Sequence, residues 1–140
     1  MVILCNKKFQ EKSKYYEYFN MFPHIQLSDF QQWAFKAIVE GEHILITAHT
    51  GSGKTLPAEF AILHFVEKGK KVIYTAPIKA LSNTKLSDLR SKYPSISFGI
   101  ITGDVTDNPE ADVLIMTTEI LPNTLVNRKM RKETGNSNVP

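Results

Sequence analysis

Ala48-His49-Thr50-Gly51-Ser52-Gly53-Lys54-Thr55 joins an apolar run, Ile44-Leu45-Ile46, to a helix-forming stretch from Leu56 to Val66. A glycine-rich loop between a strand and a helix is a setting in which backbone N–H groups cradle a phosphate. Gly51 and Gly53 let the chain turn tightly and bring its N–H groups close to phosphate oxygens. Lys54 is placed to set its ammonium between a β- and a γ-phosphate, and the Thr55 hydroxyl to ligate Mg²⁺. The helix opening near Gly53 adds the positive end of its dipole to the same anion site. Thr50, Gly51, Ser52, Gly53, Lys54 and Thr55 are therefore the candidate nucleotide-binding residues, with Lys54 and Thr55 the catalytic candidates. The plainer alternative is a glycine turn carrying a solvated lysine at a helix start.

Outward from the loop the pattern stays regular. Ser28 or Asp29 caps a helix expected to run to about Val39 and stop at Gly41. A strand is expected at about 43–47, then the loop, then a helix to about Lys68 closed by Gly69. Val72-Ile73-Tyr74, Phe98-Gly99-Ile100-Ile101 and Val113-Leu114-Ile115-Met116 read as three further strands. Helices are expected over roughly Lys79–Ser91 and Glu119–Asn127. Short, continuously apolar strands separated by helices imply a three-layer α/β fold with a doubly wound parallel sheet. Its ligand belongs at the carboxyl ends of the strands.

Composition narrows the class. The chain has 140 residues, 42% of them hydrophobic, which suits one domain. A single cysteine, Cys5, leaves no internal disulfide, and no Cys/His cluster has zinc-ligand spacing. No apolar run approaches the roughly 20 residues of a membrane span, so a membrane partner is not expected and an intracellular location, cytoplasmic or nuclear, is. The net charge of +3 is compatible with nucleic acid without arguing for it. Lysines gather at Lys7, Lys8, Lys12 and Lys14, and basic residues again at Arg128, Lys129, Arg131 and Lys132; taken alone, each group reads as a solvated face.

Four blocks then fall in a familiar order. Phe30-Gln31 places a glutamine 23 residues before Lys54. The glycine loop follows, with Ala48 where the general phosphate-loop pattern has glycine. Next come Thr75-Ala76-Pro77-Ile78-Lys79-Ala80-Leu81-Ser82-Asn83 and Ile115-Met116-Thr117-Thr118-Glu119-Ile120-Leu121, with Thr102-Gly103-Asp104 between them. Over residues 22–128 the chain resembles the first RecA-like P-loop domain of superfamily two helicases, specifically the DExH RNA helicases of the superkiller and exosome-associated type.

The resemblance carries expectations residue by residue. It implies ATP and Mg²⁺ as cofactors and Gln31 as reader of the adenine edge, a task suited to a side chain that donates and accepts at once. Relatives place an aromatic shortly before that glutamine to pack on adenine; this chain has Ile25 there, with Phe22 a little earlier. Pro77, Ile78, Lys79, Thr102, Gly103, Thr117, Thr118 and Glu119 are implied as contacts to the backbone of a single nucleic-acid strand, RNA favoured over DNA. The resemblance also implies a layout: an N-terminal appendage at 1–24, a partial ATP-binding domain at 25–128 and an exposed tail at 129–140.

Hydrolysis in such proteins needs a Walker B carboxylate pair and arginines from a second RecA-like domain. No Asp-Glu-x-His or Asp-Glu-Ala-Asp stretch occurs in the sequence. The expectation is an ATP-binding segment whose partner is the remainder of a helicase core, and which neither unwinds nor hydrolyses appreciably alone. A stand-alone nucleotide- or RNA-binding module, a DNA helicase segment and a small P-loop kinase are the alternatives, the last disfavoured by Ala48 and by the lack of an arginine-rich lid.

Overall fold

Gln31, Ala34, Phe35 and Ile38 recur at helical spacing, so one helix buries them along a single stripe. The computed structural model describes residues 1–47, 49, 51, 53–77 and 79–120, and divides into two compact units, Met1–His64 and from Phe65 onward. In the first, α1 (Tyr16–Phe19) is a single turn and α2 (Asp29–Val39) carries that stripe. Ser28 stands at the N-cap of α2, and Gly41, at φ 74°, follows its end, as expected. α3 (Thr55–Glu67) begins directly after the glycine loop.

The first unit is held by rings. Phe35 stacks on Phe60 at 4.0 Å between centroids, nearly parallel, and both are fully buried. Phe19 and Phe22 meet Phe35 edge-on, and Phe9 meets Trp33 at 5.1 Å with its ring perpendicular. Edge-to-face contacts of this kind align the positive ring edge with a neighbour's negative face. Polar contacts run alongside: the Phe9 N–H donates to Asp29 Oδ1 at 3.1 Å and the Trp33 indole N–H to the Lys7 carbonyl at 2.7 Å. The Tyr15 hydroxyl donates to Glu40, and Lys36 pairs with Glu11. Aromatic residues between 9 and 22 thus pack into the core that α2 organises.

One expected element does not form. Residues 42–47 have no strand structure, and Leu45 is 91% exposed. A strand is stable only when its N–H and C=O groups pair with a neighbour. Among the described residues the first unit has no strand to pair with Ile44-Leu45-Ile46. The apolar run had the composition of a strand, and composition does not supply a partner.

In the second unit, Gly69 (φ 73°) closes α3 with hydrogen bonds from the Gly69 and Lys70 N–H groups back to Val66 and Phe65. β1 (Val72–Ala76), α4 (Lys79–Lys92), β2 (Phe98–Ile101), β3 (Thr106–Asp107) and β4 (Val113–Thr117) follow. The sheet order is β1-β4-β2-β3, with β4 parallel to both neighbours and β3 antiparallel to β2. β4 is buried at all five positions, as a central parallel strand covered on both faces must be. Its Leu114 and Met116 pack with Ala111, Ile73 and Ile101. The expected α/β class with a mainly parallel sheet is therefore what forms.

β3 was not foreseen; two exposed residues carry no periodic signal. Arg90 secures it, donating to the Phe98 carbonyl at 2.8 Å and to Asp107 at 2.9 Å. Gly99 permits it, because a Cβ there would fall 2.1 Å from the Asn108 carbonyl oxygen. The helix expected at Glu119–Asn127 begins instead as a 3₁₀ turn, Thr118–Ile120, and its remainder lies outside the described residues.

Two measurements check the first unit. Replacing Phe35 by Ala removes a fully buried ring at the centre of the aromatic cluster and is expected to lower stability by about 3–5 kcal/mol in chemical denaturation; a loss below about 1 kcal/mol would contradict this packing. The hydrogen bond to Glu40, together with burial, pushes the Tyr15 hydroxyl up to about 12 from its ordinary 10.0. A raised folded-state value favours the protonated phenol, so its stabilisation is complete below about pH 10 and fades as pH rises toward about 12. The unfolding midpoint is expected to fall more steeply over that window in the unaltered chain than in Tyr15→Phe, and parallel curves would refute the contact.

Candidate functional site

The start of α3 has the geometry of an anion site. Gly51 and Gly53 adopt φ of 84° and 86°, in the left-handed region that favours glycine. Lys54 and Thr55 stand exposed in the turn and first helical position that follow. The first N–H groups of a helix have no partner within the helix, so this end offers donors as well as the positive dipole. Pro57 is buried in the first turn, where its missing N–H costs no helical bond. Ala48, Thr50 and Ser52 lie outside the described residues.

A side-chain amide holds the Gly53 end of the loop. Gln31 accepts a hydrogen bond from the Ser28 N–H at 3.0 Å through Oε1 and donates through Nε2 to the Gly53 carbonyl at 3.0 Å. The first contact belongs to a capping box at the N-terminus of α2. The second holds the residue before Lys54 in place, and the Leu56 N–H also donates to that carbonyl at 3.4 Å. Gly53 is favoured by its φ of 86°, and a Cβ there would come within 2.5 Å of Gln31 Nε2, so the amide would have to move off the Gly53 carbonyl. Gln31 is 6% exposed and spends one hydrogen bond from each end of its amide within the chain.

Ile25 occupies a different place. It is partly exposed and lines an open cleft with Tyr16, Phe19, Leu27 and Gln32. Gln32 was not singled out in the sequence, yet it is 95% buried, donates to the Leu27 carbonyl at 2.8 Å and leaves its Oε1 without a hydrogen bond. Residue type alone could not separate Gln31 from Gln32; only the direction each amide takes does so.

The second unit assembles the other candidates. β1, β4 and β2 run parallel, with Ala76 beside Thr117 and Ile101 beside Met116. Pro77, Thr102 and Thr118 therefore follow strand ends on one edge of the sheet. Strands about 4.8 Å apart spread these three ends over roughly 10 Å. Pro77, Gly103, Thr118 and Glu119 are exposed. Thr102 is buried, and its Oγ1 accepts from the Asp104 and Val105 N–H groups at 3.3 and 3.1 Å, shaping the Gly103 turn. Thr117 is fully buried, with no hydrogen bond to its Oγ1. Lys79 opens α4, and Ile78 lies outside the described residues. Among the described residues no cluster of His, Cys, Asp and Glu could hold a metal by itself, and no helix is long and apolar enough to cross a membrane.

The sequence profile of the DEAD/DEAH box helicases matches residues 28–139. mRNA transport homolog 4 of Caenorhabditis elegans is 42% identical over 126 residues, covering 89% of this chain and 11% of that protein. The antiviral helicase SKI2 of Saccharomyces cerevisiae is 47% identical over 96 residues, 69% of this chain and 8% of its own length. The Arabidopsis thaliana DExH-box ATP-dependent RNA helicase DExH9 is 46% identical over 95 residues, 68% and 9% respectively. The chain spans about a tenth of the length of these relatives. Its glycine loop at the head of α3, its strand-end loops and the extent of the match agree: the chain belongs to the DEAD/DEAH box helicase family.

Proposed function

We propose that these residues are the ATP-binding part of an ATP-dependent RNA helicase, acting inside the cell. One observation carries the reading: two glycines at positive φ deliver Lys54 and Thr55, both exposed, to the N-terminus of α3, while Gln31 holds the intervening carbonyl. That arrangement fits Mg·ATP. Backbone N–H groups of the loop would surround the phosphates, Lys54 would neutralise their charge and Thr55 would hold Mg²⁺ through its hydroxyl. Bound there, the metal supplies charge neutralisation at the β- and γ-phosphates. In this reading Thr50, Gly51, Ser52 and Gly53 belong to the cradle, Gln31 is the proposed reader of the adenine edge and also steadies Gly53, and Ile25 is proposed to pack on the base.

The strand-end loops of the second unit supply the surface for a single strand. Pro77, Gly103, Thr118 and Glu119 give exposed backbone and a short turn that suit sugar-phosphate contacts without reading sequence. Thr102 shapes its loop from beneath, and Thr117, Ile78 and Lys79 are proposed as further contacts to the strand. RNA is favoured because relatives such as the Arabidopsis protein are named RNA helicases. The layout follows: residues 25–128 form the ATP-binding portion, 1–24 an appendage and 129–140 a tail. Coupling nucleotide turnover to unwinding would need a carboxylate pair and arginines beyond these residues, so the 140-residue chain is expected to bind rather than turn over.

Calorimetric titration with Mg·ATP tests the nucleotide site. Saturable binding is expected, and Lys54→Ala should cost about 2–5 kcal/mol of it; equal affinity in the two folded proteins would refute the site. For the strand, fluorescence anisotropy with single-stranded RNA and DNA of one sequence is expected to give tighter binding to RNA, weakening as salt rises. Equal affinities would contradict the preference for RNA.

A further inference from the structure

Resting on the nucleotide-binding reading, we propose that residues 7–15 are a strap that positions the phosphate loop by way of α2, with Asp29 and Trp33 as its anchors on that helix. Asp29, Trp33, Lys36 and Glu40 recur at helical spacing and so share one side of α2. Each meets the strap in turn. The Phe9 N–H donates to Asp29 Oδ1 at 3.1 Å, and the Trp33 indole N–H donates to the Lys7 carbonyl at 2.7 Å. The Phe9 ring is buried and stands edge-on to Trp33. Farther along, Lys36 pairs with Glu11, and the Tyr15 hydroxyl donates to Glu40 at the C-cap of α2. The strap therefore accompanies the helix from its first turn to its last.

The buried stripe of Gln31, Ala34, Phe35 and Ile38 holds another side of α2. Apolar contact is non-directional, so that stripe resists separation more than it resists rotation. Hydrogen bonds are directional and supply the missing resistance. Those at Asp29 and Trp33 matter most, because they bracket Gln31 in the sequence; the ion pair, with the Glu11 side chain 43% exposed, adds little. Gln31 donates to the Gly53 carbonyl at 3.0 Å, and a hydrogen bond weakens steeply once its donor turns away. With the strap released, α2 could turn and that carbonyl would lose its donor. A loop with glycines at positive φ would then sample other conformations. Binding phosphate would carry the added cost of ordering it. The strap thus sets affinity through α2 rather than by touching the phosphates.

The probe is Mg·tripolyphosphate, which has no base or ribose to reach the cleft beside Tyr16, Phe19 and Ile25. Calorimetry on the 140-residue chain compares Asp29→Ala with Asp29→Asn. Both lose the charge at the head of α2, but only asparagine keeps an acceptor for the Phe9 N–H. Asp29 is exposed, so neither change leaves a hole in the core. Asp29→Ala is expected to bind about five-fold more weakly than Asp29→Asn, the lower end of usual coupling between sites. Coupling is reciprocal, so saturating Mg·tripolyphosphate should slow amide exchange across residues 7–15 of the unaltered chain. That second measurement needs no variant and so does not depend on one folding. Equal affinities in the two variants, or unchanged exchange across the strap, would overturn the proposal and leave the phosphate site standing. Failure of both Mg·tripolyphosphate and Mg·ATP to bind the folded, unaltered chain would overturn the nucleotide reading, and the strap's role with it.

Discussion

The Gln31 amide holds two backbone groups of different elements at once. Its oxygen satisfies the Ser28 N–H that opens α2, and its nitrogen holds the Gly53 carbonyl immediately before Lys54. Each bond is neutral and ordinary in length, worth about 1 kcal/mol by itself. Their joint effect is geometric. α2 is anchored by Phe35, stacked on Phe60 of α3, so its position is set by the core rather than by the loop. Through Gln31 that position is passed to a loop whose glycines would otherwise allow many conformations. A phosphate site built from backbone N–H groups depends on such preorganisation, because a mobile loop must be ordered at the cost of binding energy.

The second unit meets a related constraint differently. β4 is covered on both faces, so nothing on the strand itself reaches solvent; only the residues after it do. The same holds where β1 and β2 end. The parallel register gathers those exits at one end of the sheet, where Pro77, Gly103 and Thr118 are exposed. The threonines at 102 and 117 are both buried. Thr102 spends its hydroxyl oxygen on two N–H groups of its own turn, which is how a small polar side chain makes a loop rigid.

Much of this was legible in the residues. The stripe of α2, the cap at Ser28, the glycine after α3 and the apolar run of β4 each state a local preference that the tertiary structure obeys. What could not be read was pairing and direction. Ile44-Leu45-Ile46 has strand composition, but no described strand in its unit lies beside it, and Leu45 faces solvent. β3 arises from an Arg90–Asp107 contact and from space above Gly99, neither of which has a period. Gln31 and Gln32 carry the same amide, and their contacts separate only when one is found on Gly53 and the other on Leu27. Nothing local in the sequence reveals that the rings of Phe9, Phe19 and Phe22 interleave with Trp33 and Phe35.

The glycines at positive φ and the exposed Lys54 and Thr55 at the head of α3 are the basis of the proposed phosphate site. Hydrogen–deuterium exchange of the peptide covering Gly53–Phe60, measured with and without saturating Mg·ATP, tests it most directly. Nucleotide phosphates held against the N–H groups at the head of α3 should slow exchange there, and the slowing should vanish in Lys54→Ala. Unchanged exchange across that peptide, in a chain that remains folded at saturating nucleotide, would contradict it.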